Sequence, residues 1–114
     1  QVMDLTALDV SGVDNASQMF LGAKAQRIIG LDHWDTSKIT SMGSLFWNCN
    51  NLTYVGDLSN WDVSNVTNTS QMFHGAGKLA SVGDLSKWNM SKNTNMSYMF
   101  AGASSLVNLG NLNN

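Results

Sequence analysis

Cysteine is all but missing from this chain of 114 residues: Cys49 stands alone, which excludes an internal disulfide and a thiolate cage for a metal. Charge is scarce as well. Only 12% of residues are charged, the six Lys and Arg are scattered, and the formal net charge is −2, so no basic stripe exists for a phosphate backbone and nucleic acid is not an expected partner. There is no run of the roughly eighteen apolar residues a membrane span needs, so no membrane insertion is expected of these residues. The basic and apolar regions of a secretory signal are also absent. Because the chain opens on Gln1 rather than Met, we expect a fragment of a longer surface protein, with any targeting or anchoring segment elsewhere. What is present is 43% hydrophobic, enough for a continuous core in a single domain spanning 1–114. With no covalent or metal staple, stability must come from the chain packing on itself.

The means of doing so is a repeat. Phe20, Phe46, Phe73 and Phe100 are separated by 26, 27 and 27 residues, and Trp34, Trp61 and Trp88 by 27 and 27. Aligned on these anchors, the chain divides into units of roughly 4–30, 31–56, 57–83 and 84–110. Asp9, Asp35, Asp62 and Asn89 precede Ser11, Ser37, Ser64 and Ser91 by two residues, the spacing of an Asx-turn, so this column is expected to turn the chain at a corner. Val13, Ile39 and Val66 then point inward, and Asn93 breaks the column, which makes the last copy the least well packed.

A short helix is expected next. Asn15 with Gln18, and Asn68 with Gln71, have the spacing of a capping box; Met19-Phe20, Leu45-Phe46, Met72-Phe73 and Met99-Phe100 supply an apolar face. Gly22, Asn48, Gly75 and Gly102 are residue types that tolerate the left-handed conformation closing a helix. Such a helix has about two turns, below the roughly 12 residues needed for independent stability, so only neighbouring units can hold it. Leu52, Leu79 and Leu106 follow, with Gln26 as the exception, and then Ile29, Val55, Val82 and Leu109 before a glycine. This L-x-x-V-G-D-L run reads as a short strand with a glycine bend. The shorter first spacing is explained if an Asp is missing between Gly30 and Leu31. A strand, a corner and a helix every 27 residues predicts an α/β repeat fold: a right-handed solenoid of the leucine-rich-repeat type, with about four units, short parallel β-strands on one side and short helices on the other. The chain starts and stops inside strand segments, so either neighbouring repeats of a parent chain are expected to cover its ends or those ends are exposed edges.

The stretch WDVSNVTNTSQMFHGAGKL, Trp61 to Leu79, resembles the repeats of BspA-like bacterial surface proteins, also catalogued as a domain of unknown function. The resemblance extends over essentially the whole chain, with units slightly longer than the group's usual length and with Leu8, Gln26 and Asn93 in place of core types. Members of that group are commonly large exported proteins, several regarded as adhesins toward host matrix or mucus. The resemblance therefore implies an extracellular location at a bacterial cell surface, and a partner that is a host or extracellular-matrix protein or glycan. No catalytic residues belong to the pattern, so no enzyme activity is expected, and no cofactor.

Each chemistry the sequence offers has a structural counterpart. A row formed by Trp34, Trp61 and Trp88, about 4.8 Å apart per strand step, could bind sugar faces, but a repeat-periodic Trp is more often a core ladder. The Asp columns lack the spacing of calcium loops, and Asx-turns explain one of them, so no metal is expected. Cys49 reads as a buried inert thiol, and His33 and His74 occupy different repeat phases. The N-x-S/T triplets at Asn15, Asn51, Asn65, Asn68, Asn89 and Asn95 are what an Asn- and Ser-rich turn repeat produces by itself. Recurring residues are explained by stacking, so candidate ligand contacts are the variable strand positions: Arg27, Ile28, Thr53, Tyr54, Ser81 and Asn108, with Lys87 just beyond. Arg27 and Tyr54 are the types that most often anchor interfaces. The expected function is a non-enzymatic binding module, an adhesin; the alternative is a structural spacer that projects another domain.

Overall fold

In the computed structural model, which describes residues 1–112, the backbone bonds to the neighbouring copy about as often as to its own local turns. Ala16, Gln18, Phe20 and Gly22 donate their N–H groups to the carbonyls of Ser41, Gly43, Leu45 and Trp47 at 2.7–3.0 Å. Met42, Ser44, Phe46 and Asn48 repeat the pattern onto Asn68, Ser70, Met72 and His74, and Thr69, Gln71, Phe73 and Gly75 onto Asn95, Ser97, Met99 and Ala101. The residues between them close local turns three residues back, as Met19 to Ala16, Leu21 to Gln18 and Ala23 to Phe20. Alternate N–H groups thus serve the stack and the turn, and the donors of these segments in the first three copies are satisfied without a helix.

This corrects the expected architecture. Among the described residues there is no α-helix; the regular elements are strands β1 (Val2–Asp4) and β2 (Arg27–Ile29), paired in parallel, and single 3-10 turns at Leu31–His33 and Leu85–Lys87. Elsewhere pairing shrinks to isolated parallel bridges such as Arg27 with Tyr54 and Asn68 with Asn95. The chain is a small compact globule of 34 × 30 × 21 Å and not a four-unit strand-and-helix solenoid of the leucine-rich-repeat type.

The reason the helices fail lies in the residues chosen as caps. The Asn15 and Asn68 side chains accept from the N–H of Ser17 and Ser70, two residues on, which is an Asx-turn and not a capping box. Gln18, Ser44, Gln71 and Tyr98, where the helix would continue, all have left-handed backbones with φ of 55 to 62°. That conformation costs about 1–2 kcal/mol per non-glycine residue. It is offset by the ladder bonds, at about 0.5–1.5 kcal/mol each, and by the Phe and Met side chains the turn drives into the core. Gly22, Asn48, Gly75 and Gly102 are left-handed as their types suggest, but they end a run of turns and not a helix.

The copies are held by stacked columns. Phe20, Phe46, Phe73 and Phe100 lie ring on ring with centroids 5.4 to 5.6 Å apart. Trp34, Trp61 and Trp88 form a second column at 6.1 and 6.5 Å with interplanar angles of 5°, and Phe20 meets Trp34 at 5.9 Å to join the two. In the same core sit fully buried aliphatics, among them Leu52, Val55, Leu79 and Val82. The corner Asx-turns form as expected: Asp9, Asp35, Asp62 and Asn89 accept from the N–H of Ser11, Ser37, Ser64 and Ser91 at 2.9–3.0 Å.

The register relocates the short spacing. Arg27 pairs with Tyr54, and Thr53 donates to the Gln26 carbonyl, so Ile28 falls in the column of Val55 and Ala25 in that of Leu52. The missing residue therefore lies between Ala23 and Ala25, and no Asp is lost before Leu31. Gln26 is then no exception in the leucine column; it is an exposed residue beside a buried Ala25.

Candidate binding face

The register sets Arg27, Tyr54, Ser81 and Asn108 at one repeat phase, 27 residues apart, on the face that β2 begins. Arg27 and Tyr54 are in contact: the guanidinium carbon sits 4.5 Å from the centre of the Tyr54 ring, a cation–π pair in which both side chains remain exposed. An open groove continues from it, lined by Thr53, Tyr54, Asp57, Ala80, Ser81 and the backbone of Gly56 and Gly83. Thr53 turns its hydroxyl away from the groove's work, donating to the Gln26 carbonyl at 3.0 Å, and the Ser81 hydroxyl accepts from the Gly83 N–H at 3.2 Å. Asn108 is exposed with a left-handed backbone of φ 59°.

Ile28 does not belong to this face. Its side chain is fully buried in the column of Val55 and Val82, because the alternation along β2 that exposes Arg27 turns Ile28 inward. Lys87 is exposed at the end of its 3-10 turn, close enough to Asp57 and Asp84 to favour their ionised forms. Both carboxyls are held below their usual range chiefly by the backbone N–H of Ser59 and Ser86, with the Ser side chains helping. The face is thus a mixed one, with the Arg27 and Lys87 cations separated by Asp57 and Asp84.

The indole column offers no ligand surface. Trp34, Trp61 and Trp88 are 8%, 4% and 1% exposed, and the Trp61 and Trp88 indole N–H groups donate to the Leu31 and Leu58 carbonyls at 2.7 and 2.9 Å. Cys49 is buried with its thiol on the Phe20 carbonyl, and burial pushes its pKa up. Among the described residues no three His, Cys, Asp or Glu side chains gather where they could hold a metal, and no helix is long and apolar enough to cross a membrane.

One surface feature was not singled out from the sequence. Trp47 stacks on His74 at 6.1 Å and donates its indole N–H to Nδ1, and Tyr98, 70% exposed, lies 6.4 Å from His74. Because Nδ1 accepts, the His74 ring proton sits on Nε2. The signal was available: Leu21, Trp47, His74 and Ala101 share one repeat phase and differ in every copy.

The comparisons with known proteins bear on the family alone. No curated protein and no solved structure matches the chain significantly. Residues 14–114 match the family described as "Mycoplasma protein of unknown function, DUF285", and the chain belongs to that family.

Proposed function

We propose that this member of a bacterial repeat family of unknown function is a non-enzymatic binding module displayed outside the cell, an adhesin for a host or matrix protein or glycan. The observation that carries the reading is the Arg27–Tyr54 pair beside the groove of Thr53, Asp57 and Ser81. Two exposed side chains with large contact area already hold each other in place, so little conformational entropy remains to be lost when a partner covers them. The likeness of the W-D-x-S and M-F pattern to BspA-like surface proteins supports the extracellular setting. No cofactor or catalytic step is assigned.

A screen of matrix proteins and glycans against the chain and its Arg27→Ala/Tyr54→Ala variant tests this. We expect a bound partner whose affinity falls about tenfold or more in the variant. The melting temperature should hold, since exposed substitutions usually change stability by no more than about 0.5 kcal/mol. Equal binding by both proteins would remove the pair from the site, and a large fall in melting temperature would make it a packing feature.

The same face also favours a second reading. In the last two copies its strand positions are only Ala80, Ser81, Val107 and Asn108, with no aromatic side chain, and its charges, Asp57, Asp84 and Lys87, offset one another. A spacer needs nothing more. Adhesion that survives replacement of these units by others of equal length would favour the spacer.

A further inference from the structure

The groove beside Tyr54 exists because the repeat is irregular in size on this face. Tyr54 follows Arg27 in its column and is followed by Ser81, and Thr53 is followed by Ala80. Arg27, in the first copy, covers one face of the Tyr54 ring. The third copy sets only Ala80, Ser81 and Gly83 against the other side, so that ring face is left as the wall of a space of about 440 Å³. Such a volume falls within the roughly 300–1,000 Å³ of small-molecule sites. Both walls have a copy stacked behind them: Arg27 behind Tyr54, and Val107, whose N–H donates to the Ala80 carbonyl, behind Ala80.

Two glycines shape the floor. Gly56 lies beneath the Tyr54 hydroxyl, where a Cβ would stand 3.8 Å from Oη, and a Cβ at Gly83 would collide with the Asp57 carboxylate. Because position 83 carries no side chain, that carboxylate lies against the backbone at the groove. One of its oxygens accepts from the Ser59 N–H at 2.9 Å, and an ionised carboxylate has about four acceptor positions in all. The charges around the groove balance. Arg27 and Lys87 offset Asp57 and Asp84, so no net field draws in an ion of either sign. A cation is further disfavoured because the Tyr54 ring already holds the Arg27 guanidinium on its other face. What the groove offers is an aromatic face for C–H groups beside an acceptor for O–H groups.

We propose that the groove holds an uncharged pyranose residue of a glycan, its C–H face on the free face of Tyr54 and its hydroxyls donating to the Asp57 carboxylate. This rests on the reading of the same face as a binding site and narrows its partner to a neutral sugar. The groove is open, so the residue can belong to a longer saccharide.

NMR titration of the chain with uncharged oligosaccharides, with sialylated and sulfated ones, and with matrix proteins tests the inference. Sugars are taken to about 10 mM, past the affinity of about 1 mM expected of a weak site. Ser81→Tyr extends the aromatic column into the groove and leaves the Arg27–Tyr54 pair in place; Asp57→Asn keeps the turn, as Asn89 does in its own, and removes the charge. Thermal melts verify that both variants fold. Uncharged saccharides are expected to bind the wild type and shift the Tyr54 ring signals, with affinity at least about tenfold lower in Ser81→Tyr and several-fold lower in Asp57→Asn. Uncharged sugars that bind both variants as tightly as the wild type overturn the inference, since they would lie elsewhere. So does a preference for the acidic saccharides that strengthens in Asp57→Asn. A matrix protein that requires Arg27 and Tyr54 but ignores Ser81→Tyr, with no sugar bound, overturns the inference and leaves the binding face standing. No binding by any probe removes both.

Discussion

At the scale of single residues, the same residue type does different work according to what the neighbouring copy supplies. The indole N–H of Trp61 reaches the Leu31 carbonyl and that of Trp88 the Leu58 carbonyl, but Trp34 Nε1 is buried without a partner. The matching carbonyl, that of Leu5, is not reached where the first copy joins the second. Replacing Trp61 by Phe therefore removes apolar area and a hydrogen bond, whereas replacing Trp34 by Phe removes area and an unsatisfied donor. Chemical denaturation should find Trp34→Phe the milder change by about 1 kcal/mol or more. Equal losses would show that the two indoles stand in the same hydrogen-bonding state.

At the scale of elements, the recurring unit is a set of turns. Six carboxylates, Asp4, Asp9, Asp35, Asp57, Asp62 and Asp84, sit in Asx-turns, and hydrogen bonds from Ser or Thr hold the pKa of each below the usual range. A carboxyl that ionises more readily in the folded chain than in the unfolded one stabilises the fold above its unfolded pKa, about 3.9. That contribution is lost as pH falls through the lower folded value. The melting temperature should hold between neutral pH and about 5 and fall below about 4. In an Asp35→Asn/Asp62→Asn variant the amide oxygen keeps the turn, as Asn89 does in the last copy, and the acid-induced fall should be smaller. A melting temperature unchanged at pH 3, in the wild type, would show that the turns do not depend on ionisation.

At the scale of the whole molecule, the single cysteine excludes an internal disulfide and the described residues hold no long helix, so stability rests on contacts between residues about 27 apart in sequence. The Phe column is the clearest case. Phe73→Ala opens a cavity between two covered neighbours and should cost about 3–5 kcal/mol. Phe100→Ala, at the half-buried end, should cost clearly less. Denaturant midpoints measure both, and equal costs would mean that the end ring is as enclosed as the central one.

The repeat, its anchors, the corner turns and the inward columns were legible in the sequence, because periodic identity at 26 or 27 residues reports directly which side chains meet. Arg27 and Tyr54 were legible singly, as variable strand residues; aligning Ile29 with Val55 sets Arg27 against Thr53, and only the observed register makes the two a pair. The tertiary structure decided what lies between the anchors. A sequence of Asn, Ser, Gln and Met before Phe satisfies a helix and a run of turns about equally by local preference. The choice falls to the carbonyls of the adjacent copy, which accept every second N–H and leave no helix to form. It also decided the fate of Ile28, since the residue missing between Ala23 and Ala25 shifts the register by one and sends that side chain into the core.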